Sequence, residues 1–98
     1  MTASLLERAL AAIRISRPAL RARGVELIGV VGSVARGEDK AGSDVDIVYD
    51  LSERASLLAL ARALLDLEAA LQRRVDLVNI NRVDAELRAA FERDLVRA

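Results

Sequence analysis

The strict alternation of side chains from Asp44 to Leu51, DVDIVYDL, restricts the fold more than any other feature of the sequence. Successive side chains of a β-strand point to opposite faces of its sheet. Such a strand has one face with Asp44, Asp46, Val48 and Asp50 and another with Val45, Ile47, Tyr49 and Leu51. We therefore expect a strand that packs its apolar face on a core and carries carboxylates on the other.

Two further segments are predicted to be buried strands. Val25 to Val31 (VELIGVV) and Arg74 to Ile80 (RVDLVNI) are short and rich in β-branched residues. The polar stretch from Glu38 to Ser43 contains Gly42 and is predicted to be a loop. Ser33 is a plausible N-cap for a brief helical turn through Arg36.

Apolar spacing predicts three longer helices. The first helix covers Ser4 to Arg14. Pro18 interrupts or restarts it, and Gly24 marks the end of this helical region. The second follows a Ser52 cap and runs to about Gln72, and the third runs from Asp84 to Arg97. Leu87, Phe91 and Leu95 stack on one side of that third helix. The order predicts a small α/β domain over residues 1–98, with about three strands in a mixed sheet flanked by helices.

Composition excludes several classes of function. Lys plus Arg and Asp plus Glu both number 15, and this zero balance argues against a direct nucleic-acid binder. The chain has no histidine and no cysteine, which excludes thiolate metal sites, disulfides and histidine-dependent triads. No apolar run approaches the roughly 20 residues of a membrane span, and the first residues do not show the pattern of a signal peptide. We expect a cytoplasmic protein without a membrane partner, whose chemistry rests on carboxylates, arginines and backbone amides.

The segment after the first strand has the features of a phosphate-binding turn. A strand followed by Gly32-Ser33 and a helical turn brings free backbone N–H groups together. Glycine at position 32 lets a ligand approach the backbone closely. Ser33 adds a hydroxyl, and Arg36 adds a guanidinium suited to phosphate.

Asp44 and Asp46 are adjacent on one strand face, where two carboxylates repel each other. A divalent cation removes this repulsion, and oxygen ligands suit Mg²⁺ or Mn²⁺. Asp76 lies in an apolar strand, where an unpaired carboxylate is costly. If the strands are neighbours, the three carboxylates converge beside the phosphate turn. Taken singly, Asp44 and Asp46 could be solvated residues at a strand edge, and Asp76 could pair with Arg73 or Arg74. Asp50 is better explained as a solvated residue at the end of the strand.

GSVARG (residues 32–37), SDVDIV (residues 43–48) and the later Val75-Asp76 resemble the nucleotidyltransferase superfamily that includes DNA polymerase β. More narrowly, they resemble the minimal nucleotidyltransferases of prokaryotes, the antitoxin partners of HEPN proteins. The resemblance covers nearly the whole chain and implies a fold like the polymerase β palm. Val31 and Val34 depart from residues common in the family, which leaves the shape of the pocket open but removes no catalytic group.

The resemblance implies a Mg²⁺-dependent transfer of AMP from ATP to a hydroxyl. Asp44, Asp46 and Asp76 would hold two metal ions and be catalytic, and Gly32, Ser33, Arg36 and, more weakly, Ser43 would bind the nucleotide. The implied acceptor is a tyrosine of a HEPN toxin. Two alternatives remain: a binding module that neutralises the toxin by contact, and a homodimeric adenylyltransferase for a small molecule.

The helix after Ser52 has a wide apolar face that includes Leu58 and Leu65. A small sheet needs a broad helical cover, which is the simpler explanation. Alternatively, part of this face contacts another protein chain, so a homo- or hetero-oligomer is possible.

Overall fold

The computed structural model describes residues 2–98. Its helices are α1 (Leu5–Arg21), α2 (Gly32–Ala35), α3 (Leu57–Leu71) and α4 (Ala85–Asp94). Its strands are β1 (Val25–Val31), β2 (Val45–Leu51), β3 (Val75–Asn79) and β4 (Val96–Arg97). The predicted mixed α/β class is confirmed, but the sheet has four strands where about three were expected. No helix within residues 2–98 is long and apolar enough to span a membrane.

The strands lie in the order β3-β2-β1-β4. β2 runs parallel to β3, and β1 is antiparallel to both β2 and β4. The register of β1 against β2 shifts between Leu27 and Gly29, where β1 carries one extra residue. Because of this bulge, Val30 pairs with Ile47 while Val31 pairs with Asp46. β1 therefore ends directly beside an acidic residue of β2.

Helices α1 and α3 cover one face of the sheet. The aliphatic core between these two layers includes Ile13, Leu27, Ile47 and Leu67, each exposed by 1% or less. Since Ile47 points into this core, the neighbouring Asp46 points to the opposite face. The helical layer thus lies on the side of the sheet away from the acidic residues.

Helix α1 does not stop near Arg14 as predicted, but continues through Pro18 to Arg21. A proline inside a helix removes one backbone hydrogen bond and its ring clashes with the preceding turn, which together cost about 3 kcal/mol or more. Contacts on both sides of the proline offset this cost. Leu20 is buried in the core, and Nη2 of Arg17 donates to the carbonyls of Leu27 and Ala98 at 3.1 and 3.0 Å.

Two predicted N-caps are wrong. Helix α3 begins five residues after Ser52, and its N-cap is Ser56, whose Oγ accepts from the backbone N–H of Ala59 at 3.1 Å. The backbone N–H of Ser52 instead donates to the carbonyl of Gly24, which holds the segment before α3 against the end of α1. Ser33 lies within α2, whose N-cap is Val31 without a side-chain hydrogen bond.

The predicted helix from Asp84 to Arg97 is too long. Asp84 does cap α4, but the backbone leaves the helical conformation at Leu95 and forms β4 against Gly29 and Val30. No residue of α4 is buried, so the stacked face of Leu87 and Phe91 forms no core contact comparable to those of α1 and α3. Because β4 pairs with β1, it satisfies backbone groups of β1 near Gly29 and Val30, which a further turn of α4 would leave without this partner.

Candidate active site

Asp46 and Asp76 are direct partners across the parallel strands β2 and β3. Partner residues of adjacent strands point to the same face, so both carboxylates lie on the face away from α1 and α3. Alongside burial, the charge of Asp76 raises the pKa of Asp46, so the two groups interact. The topology therefore brings together two acidic residues that are thirty positions apart in the sequence.

Gly32 places the start of α2 against this pair. Its φ is +78°, and a Cβ atom built on it would lie 2.5 Å from Oδ2 of Asp46. This space is therefore too small for a side chain while Asp46 keeps its position. The Gly-Ser turn and the carboxylate of Asp46 are in contact, so the turn that is predicted to bind phosphate is continuous with the acidic pair.

The electrostatics of Asp46 fit a cation site. Burial raises the pKa of Asp46, and so do the charges of Asp76 and Asp44 and a hydrogen bond with Asp76. In residues 2–98, no arginine or lysine forms a salt bridge with any of these three carboxylates. In particular, Asp76 does not pair with Arg73 or Arg74; Nη1 of Arg73 instead donates to the carbonyls of Lys40 and Ser43, at 3.4 Å each.

Asp44 lies just before β2 and is exposed, so it extends the acidic pair toward the loop. Across the described part of the chain, no three carboxylates lie close enough together to bind the same ion. Two uncompensated carboxylates side by side, with a third within electrostatic range, form a hard oxygen donor set suited to Mg²⁺ or Mn²⁺. The residues therefore fit the implied metal, although the three-ligand arrangement is not preformed.

Arg36 ends α2 as its C-cap, close to the Gly-Ser turn. Its Nε donates to Oε2 of Glu38 at 3.1 Å and its Nη1 to Oδ2 of Asp94 at 2.7 Å. These hydrogen bonds, with Glu38 contributing most, raise the pKa of Arg36. Sequence reasoning identified Arg36 but missed Asp94, because nothing in the spacing indicates that the end of α4 returns to α2.

Ser43 and Asp50 have local partners. Oγ of Ser43 accepts from the backbone N–H of Lys40 at 2.8 Å, so the hydroxyl stabilises the turn before β2. Asp50 lies two strand alternations beyond Asp46, and its Oδ1 accepts from Nδ2 of Asn81 at 2.7 Å. Asp50 is thus tied to the loop after β3 and stands apart from the acidic pair.

Comparison with known proteins identifies the family of this chain. The family model "Nucleotidyltransferase domain" matches residues 13–97. The chain is 54% identical over 55 residues to the protein adenylyltransferase MntA of Thermococcus cleftensis, a match that spans 56% of this chain and 56% of that relative.

Two solved structures share the fold. A candidate minimal nucleotidyltransferase superposes with a TM-score of 0.75 at 32% identity, covering 96% of this chain and 95% of the other. A toxin–antitoxin crystallised with AMP-PNP superposes with a TM-score of 0.56 at 25% identity, covering 83% of this chain and 61% of the other. The predicted membership is therefore confirmed: this chain belongs to the nucleotidyltransferase family, as one of its minimal domains.

Proposed function

We propose that this nucleotidyltransferase transfers AMP from ATP to a hydroxyl of a partner protein, a tyrosine of a HEPN-type toxin. The observation that carries the proposal is the contact between the Gly32 turn and Asp46, which in turn faces Asp76. The name of the Thermococcus relative, protein adenylyltransferase, and the toxin–antitoxin with AMP-PNP support the choice of ATP and of a protein acceptor. Because ATP is the proposed substrate, we place the reaction in the cytoplasm.

Asp44, Asp46 and Asp76 would hold Mg²⁺, as two ions, with Mn²⁺ as a possible substitute. When bound, the metal lowers the pKa of an attacking hydroxyl and stabilises charge on the triphosphate. The free N–H groups at the start of α2 would bind phosphate oxygens, with the hydroxyl of Ser33 and the guanidinium of Arg36 beside them. Ser43 remains a weaker candidate, since its hydroxyl is engaged in the loop.

The reaction forms a bond between the acceptor oxygen and the α-phosphorus and breaks the bond from that phosphorus to the bridging oxygen of the β-phosphate. Pyrophosphate leaves, and the hydroxyl proton goes to a carboxylate of the acidic pair or to solvent. The chain's own contribution is to align the triphosphate on the turn and to place the carboxylates at its α-phosphate.

Labelled ATP tests the transfer. With Mg²⁺ and the toxin, ATP labelled at the α-phosphate should leave its label on the toxin, whereas ATP labelled at the γ-phosphate should leave none. The readout is label retained on the denatured toxin band, followed by mass spectrometry of its tyrosines. A complex that forms but takes up no α-label contradicts the proposal; a label that appears only on small molecules favours the homodimeric alternative.

A second candidate function, neutralisation by contact, is favoured by the surface of α3. Leu58 and Leu65 are 79% and 65% exposed and lie seven residues apart, on the same side of the helix. This surface belongs to the layer remote from Asp46 and Asp76. A partner held there is held independently of the carboxylates, so binding and transfer can be separated by substitution.

Replacing Leu58 and Leu65 with serine should weaken toxin binding by about tenfold or more, because fully burying a leucine side chain contributes about 1.5–3 kcal/mol. Calorimetric titration of the purified toxin measures the change. Leu87→Ser is the matched control, since Leu87 is also exposed, at 44%, but lies on α4. Unchanged affinity in the double variant rules out this surface.

A further inference from the structure

The guanidinium of Arg36 is held by two carboxylates from different parts of the fold. Glu38 follows it in the loop, and Asp94 comes from the end of α4. The side chain of Glu38 is 66% exposed and that of Asp94 is 26% exposed. The pair with Asp94 is therefore the less solvated of the two, and it also has the shorter distance, 2.7 Å against 3.1 Å.

A guanidinium can offer two parallel N–H bonds along either of two edges, Nε with Nη2 or Nη1 with Nη2. In Arg36, Nε is engaged by Glu38 and Nη1 by Asp94. Each edge has thus already lost one donor to a carboxylate. A phosphate group that binds Arg36 along either edge therefore competes with a carboxylate for a nitrogen of that edge.

Asp94 also depends on this contact. It is the last residue of α4, where the helix dipole disfavours negative charge, and Arg36 supplies an opposite charge. β4 begins only two residues later and adds to β1 at Gly29 and Val30. The pair between Arg36 and Asp94 therefore joins the end of β1 and α2 to the segment formed by the end of α4 and β4.

We propose that Asp94 competes with the triphosphate for Arg36, so that it sets the affinity of the site for nucleotide. The inference rests on the proposed function, in which Arg36 binds phosphate. When the triphosphate binds the guanidinium of Arg36, the hydrogen bond from Arg36 to Asp94 breaks and the α4–β4 segment becomes less tightly held. By reciprocity, contacts that pull this segment away make Arg36 more available. Asp94 is a residue that controls Arg36, and it has no contact with the reacting atoms.

Titration with a non-hydrolysable ATP analogue and Mg²⁺ tests this on the full chain. Asp94→Asn should bind the analogue about two- to fivefold more tightly than the wild type, the range expected for a partly exposed competing ion pair. Affinity for AMP, which lacks the β- and γ-phosphates, should stay unchanged. In the wild type, the analogue should speed amide exchange in residues 94–98.

Glu92→Gln is the matched control: it makes the same change of charge on α4, but Glu92 contacts Arg88. Adding Asp94→Asn to an Arg36→Gln background should have no effect. Should Asp94→Asn unfold α4, Glu38→Gln frees the other edge and should tighten binding by a smaller factor. Equal or weaker binding by Asp94→Asn, with normal wild-type binding, overturns the inference alone. Binding by Arg36→Gln as tight as that of the wild type overturns the proposed phosphate role of Arg36 as well.

Discussion

Asp46→Asn is expected to lower AMP transfer by about three orders of magnitude or more while leaving the fold intact or slightly more stable. The carboxylate lies between the Gly32 turn and Asp76, where a divalent ion would stabilise charge by several kcal/mol, and about 4 kcal/mol corresponds to a thousandfold in rate. Asparagine keeps the shape but removes the like charge facing Asp76, a repulsion that costs roughly 0.2–1 kcal/mol between opposed strand residues.

Single-turnover transfer and thermal unfolding measure the two effects side by side. Asp50→Asn is the matched control, because it is the same substitution on the same face of β2 at a residue bound to Asn81. It should retain transfer. A variant at Asp46 that keeps more than a tenth of the wild-type rate would contradict the assignment of this carboxylate to the reaction.

The stability gain in Asp46→Asn should depend on pH. The pKa of Asp46 is raised in the folded protein, above the value of about 3.9 expected in the unfolded chain. The folded state therefore binds the proton more tightly, and the wild type loses stability as the pH rises from the unfolded pKa through the folded one. Without metal, the difference in melting temperature between variant and wild type should grow across this window and vanish below it. Added Mg²⁺ should stabilise the wild type more than the variant.

The acidic strand could be predicted because alternation over the eight residues from Asp44 to Leu51 fixes both its type and its faces. The pairing of Asp46 with Asp76 could not, since it depends on the parallel register of β2 and β3, which no local pattern specifies. Likewise the bulge in β1 determines which of Val30 and Val31 shares a face with Asp46. The sequence identifies the groups, and long-range strand pairing decides which of them meet.

The bulge in β1 and the strand β4 were not predicted, although Gly29 is a weak local signal for both. Gly29 interrupts a strand that is rich in β-branched residues, and a glycine there marks a bulge or a close backbone approach. The structure shows both: a Cβ at this position would collide with the carbonyl of Val96 in β4. The two serines before α3 offered equal capping chemistry, and the backbone N–H groups of both are bound by the α1–β1 turn, through Gly24 and Arg23. Local capping chemistry therefore does not distinguish Ser56 from Ser52.

Gly32→Ala is expected to lower AMP transfer by about a hundredfold and to destabilise the fold by about 1–2 kcal/mol. The φ of +78° is strained for any residue with a Cβ, which accounts for the loss of stability. The added methyl group would also lie 2.5 Å from Oδ2 of Asp46, so the carboxylate or the turn must move. A displacement of about 1 Å in an aligned site can cost a hundredfold in rate.

Gly42→Ala separates these two causes. Gly42 has a similar φ of +84°, but a Cβ there would meet nothing within 4 Å. It should lose similar stability and keep most of the transfer rate, measured at a temperature where both variants are folded. If both variants lose transfer equally, backbone strain in the loop accounts for the effect of Gly32→Ala. If only Gly32→Ala loses it, the need for glycine at the turn comes from the neighbouring carboxylate, as a site shared by phosphate and metal requires.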